Sequence, residues 1–456
     1  MLQADLFPGW TTVCRLEEAP GLPILADVDV LVVGGGAAGV AAATVAAEAG
    51  KSVMLLERYG FCGGAAVAGM SGTICGMYLA SDRNAGPEQV VFGFTERFRR
   101  AILERGGLTA PQIYGKTWTV THDPLMWRET ADAFLAAAGV RVLFHTAVTG
   151  VLMDGETYAG VVIESKAGRS TVRARRIIDA SGDAAVVARA GHRHVFGDNG
   201  KIQNPTMFFR LGNVDMDRYL AYYGEDTICP PKLTEAIRRA NDGGAYHLPR
   251  NKIWIFPTTR PNELMVNATR LSGRDDRMLN VIDPADFTEA EMSGRLQVRE
   301  YARFLRDTVP GCENSHVVDT GVEAGIRQTR SIVGVDTLRN SDVLACRKRT
   351  DGICRVPWPI ELHAGDKPKL HWLLDDWYEV PYLALVPETG ENIIVAGRCL
   401  SAEHEALASA RVTAQCFEYG HAAAVAAVMS LDDGLRFRDV PGAGVRELMA
   451  RNGSAF

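Results

Sequence analysis

A short β-branched apolar run, DVDVLVV at Asp27 to Val33, leads straight into GGGAAG and then into the helical pattern VAAATVAAEAG. Such a run reads as a buried parallel strand, and the order strand, glycine turn, helix leaves few folds open. Gly34, Gly36 and Gly39 fill the G-x-G-x-x-G spacing. The first serves the tight turn, the second a close backbone approach to a pyrophosphate, and the third helix-on-strand packing. The backbone at Ala37 and Ala38 opens the helix, where free N–H groups and the helix dipole attract phosphate. A second apolar strand, Ser52 to Leu56, ends in Glu57, which lies 21 positions past Gly36. That is close to the roughly 20 expected of an acid that binds an adenosine ribose. A lone glycine fingerprint often marks only a tight turn, but here strand, loop, helix, strand and acid agree. The reading is dinucleotide binding, with NAD and FAD both open at this point.

At 456 residues the chain is too long for a single hydrophobic core, so two domains are expected. Its 47% hydrophobic and 23% charged residues lie near the average for globular proteins, which excludes disordered and fibrous classes. A net charge of -6 with no lysine/arginine block makes nucleic acid an unexpected partner. No apolar stretch reaches the roughly 20 residues of a membrane span. The N-terminal segment lacks a basic region followed by an apolar run, so a cytoplasmic location is expected. Nine cysteines without a C-x-x-C pair fit neither a disulfide framework nor a zinc site, and no metal is expected.

Downstream, GVRVLFHTAVTGVLMDGETYAGVVIESKAGRSTVRARRIIDASGD alternates apolar and polar residues between glycine turns, as a β-meander leading into a buried strand at Arg176 to Ala180 does. The order resembles the two-dinucleotide-fold flavoproteins related to glutathione reductase and fumarate reductase, where a meander precedes a second FAD-contacting strand. The turn after that strand is here Ser181, Gly182 and Asp183. ENIIVAGRCLSAEHEALASARVTAQCFEYGHAAAVAAVM is similar to the C-terminal part of that superfamily, a strand, a turn and a long helix whose N-terminal end faces the flavin. GIRQTRSIVG, AGRCLSAEHEALASARV and PTMFFRLGNVD resemble the broad FAD-dependent oxidoreductase family that includes the FAD-binding subunit of heterodisulfide reductases. The iron–sulfur cysteine clusters of that subunit have no counterpart here. The resemblance implies FAD as cofactor, bound non-covalently, and says little about substrate. Besides the fingerprint and Glu57, it implies cofactor contacts from Arg58, Cys62, Gly63, Gly64, Ala65, Val148, Ser181, Gly182, Asp183, Gly397, Arg398 and Ser409. Arg398 stands where many relatives carry an acid that holds the ribityl chain.

The expected fold is α/β: a Rossmann-like FAD domain, with a parallel sheet and a β-meander, plus a second α+β substrate or cap domain. The FAD domain is expected to be discontinuous, over 25–80, 125–200 and 385–432. The cap takes 81–124 and 201–384, with 1–24 an N-terminal extension and 433–456 a C-terminal tail. The first twenty-odd and last ten residues are the candidates for loose packing. A helix is expected from about Glu405 to Met429, with Gly420 letting it pack tightly under the cofactor.

Four residues are candidates for the chemistry. His404, in the turn before the terminal helix, either moves a proton beside the flavin or caps a helix. Arg327, with Arg330 three residues on, either holds a substrate carboxylate or joins an ion-pair network. His363 and Tyr382 flank the re-entry into the FAD domain, where cap and cofactor should meet, unless each has a packing role. Cys62 and Cys75 lie thirteen positions apart, unlike the redox pairs of glutathione reductase relatives with four residues between them, so Cys62 reads as packing. Covalent attachment through His122 or Cys62 is the alternative to non-covalent FAD. The expected activity is hydride exchange between a small organic molecule and flavin N5. A monooxygenase using transient NAD(P)H and oxygen, and a non-catalytic flavin subunit or sensor, are the rivals. A homo-oligomer is compatible with the sequence.

Overall fold

The computed structural model describes residues 13–15, 21–83, 86–274, 276–363 and 368–456. Its centre is an eight-stranded sheet. Strands Val13–Arg15, Ala147–Asp154, Thr157–Ser165, Gly168–Asp179, Ile24–Val33, Val53–Leu56 and Arg141–Leu143 lie in that order, and Ile393–Val395 pairs with Gly168–Asp179. The long strand Gly168–Asp179 joins two kinds of pairing. Along one edge it runs parallel to Ile24–Val33; along the other, Gly168–Arg173 pairs antiparallel with the preceding hairpin strand and Ile177–Asp179 pairs parallel with Ile393–Val395. The meander and the parallel nucleotide-binding sheet therefore share one strand. Strand Val53–Leu56 and the second half of Ile24–Val33 are buried on both faces, as their unbroken apolar runs require.

Helix Ala37–Glu48 is buried along nine of its residues and packs beneath the terminal helix Thr413–Asp432. The approach is close enough that a Cβ on Gly420 would lie 2.0 Å from the Ala38 carbonyl oxygen. A second sheet, Trp254–Pro257, Glu263–Asn267, Phe209–Gly212 and His316–Thr320, is antiparallel throughout. The 25-residue helix Pro284–Thr308 and the helix Pro231–Asp242 bury their apolar faces with it in a separate core, which includes Leu233, Ile237, Phe304 and Leu305. The fold is thus mixed α/β, with a parallel-rich central sheet and a second, antiparallel sheet.

Two expectations need amendment. The terminal helix is two helices, His404–Ala410 and Thr413–Asp432, because Val412 is extended (φ -75°, ψ 164°). The close contact of Gly420 with Ala38 fixes the axis of the second helix, while the first packs against strand Ile360–Leu362. The last residues are docked: helix Gly442–Arg451 buries Val445 and Met449, and Ser454 Oγ donates to Glu418 at 2.6 Å. Of the 81–124 segment, helix Phe94–Glu104 packs on the terminal helix, with Phe94 and Phe98 centroids 5.8 and 4.7 Å from that of Phe417. Most of the N-terminal extension lies outside the described residues; Val13–Arg15 runs parallel to Val151–Met153. Among the described residues no helix is long and apolar enough to cross a membrane.

Gly420→Ala is expected to destabilise the protein by about 2 kcal/mol or more, since backbone blocks the added methyl. Urea denaturation measures this, and an unchanged midpoint would count against the helix contact.

Candidate flavin site

Strand Ile24–Val33 delivers Gly34 at φ +102°, and a Cβ there would sit 2.5 Å from the Ala180 carbonyl oxygen. A Cβ on Gly39 would sit 1.8 Å from the Gly34 carbonyl oxygen. Only glycine fits either position. The helix that starts at Ala37 has Gly36 as N-cap and no side-chain cap, which leaves its first-turn N–H groups for an anion. A second bare loop faces the first: Gly63 N donates to Gly35 O at 2.8 Å, and a Cβ on Gly64 would lie 2.9 Å from Gly36 Cα. Gly34, Gly36, Ala37, Ala38, Gly63, Gly64 and Ala65 all line one large cavity.

Glu57, at the end of strand Val53–Leu56, lines the same cavity. Its Oε2 accepts Gly35 N at 2.7 Å and its Oε1 accepts Tyr59 N at 2.9 Å. Burial pushes its pKa up, opposed by those two N–H groups and Arg58. Arg58 and the Tyr59 hydroxyl both meet Glu323, which closes this part of the wall.

Ser181, Gly182 and Asp183 form the next stretch of lining with Gly397 and Arg398. Asp179 builds the turn: its Oδ1 accepts Ser181 N and Oγ at 3.1 and 2.6 Å, and its Oδ2 accepts Val186 N at 2.8 Å. Arg398 pairs with Asp183 at 2.7 Å, and Thr329 Oγ1 also donates to Asp183 at 2.6 Å. Burial raises the Asp183 pKa, but Arg398 and Thr329 outweigh it and hold the carboxyl below its usual range. The arginine where many relatives carry an acid is thus matched by an acid on the neighbouring turn.

The remaining wall is a polar cluster between aromatic rings. Tyr114, Phe256 and Trp358 line it, with Arg327, Glu361, His363 and Arg411. The Tyr114 hydroxyl donates to Glu361 Oε1 at 2.7 Å, and His363 Nε2 lies 3.3 Å from the same oxygen. Burial opposes ionisation of Glu361, yet His363, the Tyr114 hydroxyl and Arg411 lower its carboxyl pKa. Burial, then Arg327, lowers the His363 pKa, with Glu361 opposing. The break between the two terminal helices puts Arg411, Val412 and Thr413 on the cavity wall, so the dipole of helix Thr413–Asp432 points there. One continuous cavity thus runs from the glycine cradle to this cluster.

Several expected residues lie off this lining. Gly39 is buried inside the loop packing. Cys62 is fully buried beside Gly35 and Glu57, and burial, then Glu57, raises its thiol pKa well above the usual range. Val148 packs on the meander. Ser409 donates to Trp358 O at 2.5 Å and accepts from the Tyr378 hydroxyl at 2.9 Å. Tyr382, on a 3-10 turn, donates to Phe437 O at 2.8 Å. His404 sits on the first turn of its helix, and His122 is buried against Trp127, 4.5 Å between centroids. Arg330 turns from Arg327 and donates to Asp183 O at 2.8 Å. Cys75 does line the cavity, between Thr73 Oγ1 at 3.2 Å and Thr119 Oγ1 at 3.4 Å, and burial raises its pKa to about 11. Sequence reasoning missed Tyr114, Glu361 and Arg411. The two-residue spacing of Glu361 and His363, which puts both on one face of an extended chain, was a usable signal; nothing local marks Tyr114.

The family model described as FAD dependent oxidoreductase matches residues 29–449. This chain belongs to that family. It is an enzyme, and FAD is its cofactor, which the bare glycine cradle and Glu57 fit. Over 179 residues it is 29% identical to thiamine thiazole synthase of Methanococcus vannielii, a match covering 37% of this chain and 62% of that protein. A 52-residue stretch is 59% identical to urocanate reductase of Eggerthella lenta, covering 11% of this chain and 9% of that one. The chain spans less than two thirds of either relative. Among solved structures, a geranylgeranyl bacteriochlorophyll reductase-like protein of Thermoplasma acidophilum superposes with TM-score 0.50 at 15% identity, covering 93% of this chain and 83% of that one. The p-nitrophenol 4-monooxygenase of Pseudomonas putida gives TM-score 0.50 at 11% identity, covering 94% and 86%. At these identities the likeness is one of fold.

Glu57→Ala removes a charged acceptor and is expected to weaken FAD binding roughly 10–100-fold, from about 1.5–3 kcal/mol. Quenching of FAD fluorescence on titration into apoprotein gives the constant; unchanged affinity would exclude Glu57 from the cofactor. His122 makes a second prediction, about pH. Burial lowers its pKa from 6.5 to about 4. The unfolded chain therefore binds more protons between those values, and stability falls as pH drops through that window, by up to about 3 kcal/mol. Denaturation of wild type and His122→Phe across pH 4 to 7 checks it: the variant should show the shallower dependence.

Proposed function

We propose that this enzyme exchanges a hydride between flavin N5 and a small organic molecule bound at the Glu361–His363 cluster. The supporting observation is that the glycine cradle and this cluster line one cavity. FAD supplies the two-electron chemistry when bound. The chain's own side chains position the substrate, exclude water and handle the proton. Glu361 accepts from His363 Nε2–H, which leaves Nδ1 as the basic nitrogen of a neutral imidazole. His363 is the proton carrier in this reading, and the Tyr114 hydroxyl, donating to the same carboxylate, positions it. Tyr114, Phe256 and Trp358 keep the cluster dry, which strengthens its electrostatics. His404 and Tyr382, off the cavity lining, have no part in it. Cys62 and His122 are likewise off the lining, which supports non-covalent FAD.

The visible spectrum of the protein, before and after acid precipitation, followed by anaerobic mixing with pooled metabolites, tests this. A yellow supernatant that chromatographs as FAD, with the holoenzyme bleached by one pool, is the expected result. His363→Asn should then slow bleaching roughly 10²–10⁴-fold with FAD content unchanged. Colour retained on the pellet would overturn non-covalent binding. Bleaching only by NAD(P)H, with oxygen consumption and a hydroxylated product, would replace the reading with a monooxygenase.

A further inference from the structure

We infer that the substrate carries a carboxylate, held by the guanidinium groups of Arg327 and Arg411, with the buried charge of Arg250 behind them. The inference rests on the function proposed above and adds the substrate's chemical class to it.

Arg250 and Arg327 are buried and Arg411 is half-buried, yet the acceptors that hold them are neutral. Arg250 Nη1 donates to Asn267 Oδ1 at 3.0 Å, and Arg327 Nη2 lies 3.5 Å from the same oxygen. Arg327 Nη1 donates to Asn204 O at 2.8 Å, and Arg411 Nη2 to Gln203 Oε1 at 2.9 Å. These bonds fix the side chains without neutralising them. Arg398 and Arg210, by contrast, pair with carboxylates: Arg398 with Asp183, and Arg210 with Asp319 and Glu263.

Among the described residues, Glu361 is the carboxylate that acts on all three, and it is already engaged by Tyr114 and His363. Three guanidinium groups therefore share the field of one carboxylate, and none forms an ion pair with it. Arg250 Nη2 and Arg411 Nε have no hydrogen-bond partner. Arg327 and His363 line both the main cavity and a small recess walled by Arg250, Asn204 and Thr269, so the cations converge from two sides of one partition. Buried like charges are costly, and donors without acceptors add to that cost. A carboxylate bound in the main cavity beside Arg327 and Arg411 offsets that charge. It supplies the missing negative charge and offers the two planar acceptors that a guanidinium fork fits.

The test is a titration of holoenzyme with benzoate and succinate, and with benzamide and succinamide, at constant ionic strength, read as the visible difference spectrum of bound FAD. Saturable changes with the acids and none with the amides are expected. Arg250→Met and Arg411→Met should each weaken acid binding at least about tenfold while FAD content stays at the wild-type level. The acid-versus-amide comparison in the wild type stands even where a variant fails to fold. Thermal melting gives the same comparison without reference to flavin, so failure to bind FAD and failure to bind carboxylate are read separately. Amides binding as well as acids, inorganic phosphate displacing the acids, no response to any acid, or variants that bind like wild type would each overturn the inference.

Discussion

Backbone meets backbone at the centre of this protein, and the rest of the structure depends on that contact. The Gly39 position touches the Gly34 carbonyl, Gly34 touches the end of the strand at Ala180, and Gly420 touches Ala38. Each approach is closer than any side chain permits. The glycine-loop helix is thereby clamped between the central sheet and the terminal helix, with its N-terminus uncapped. The same clamp aligns the Ser181–Asp183 turn and the Gly397–Arg398 turn beside the loop, where Asp183 and Arg398 neutralise each other. The dinucleotide cradle is a by-product of close packing, and so it stays rigid without spending side chains on its own support.

Away from the cradle the logic reverses. The cavity wall at Arg327, Glu361, His363 and Arg411 is rich in charge that the surrounding protein leaves incompletely matched. A fold optimised only for stability would not bury three arginines against amide and carbonyl oxygens. Here the unmatched charge borders the same cavity as the glycine cradle.

Much of the cofactor side was legible because its signals are local. The spacing of Gly34, Gly36 and Gly39, the acid at Glu57 and the bare loop at Gly63 and Gly64 each follow from what one short stretch of chain must do. The candidates for chemistry fared unevenly. Arg327 and His363 reach the cavity, whereas His404 and Tyr382 were placed by proximity to a turn, and the rotation of one helix or one 3-10 turn carries a side chain away from it. Arg330 was paired with Arg327 by spacing, but Arg327 takes its neighbours from three other segments: Arg250 from the loop before strand Trp254–Pro257, Arg411 from a helix break and Glu361 from a short strand.

The sequence by itself determined the nucleotide-binding sheet, the glycine cradle and its acid, since strand period, glycine spacing and the reach of one βαβ unit are properties of contiguous residues. Only the tertiary structure decided which charges share a cavity. Arg250, Arg327, Glu361 and Arg411 are separated by tens of positions, and what joins them is the tertiary packing of separate segments, together with a helix break at Val412 that no local pattern announces. Electrostatic coupling acts through space and depends on burial, so it becomes readable only once the chain has folded.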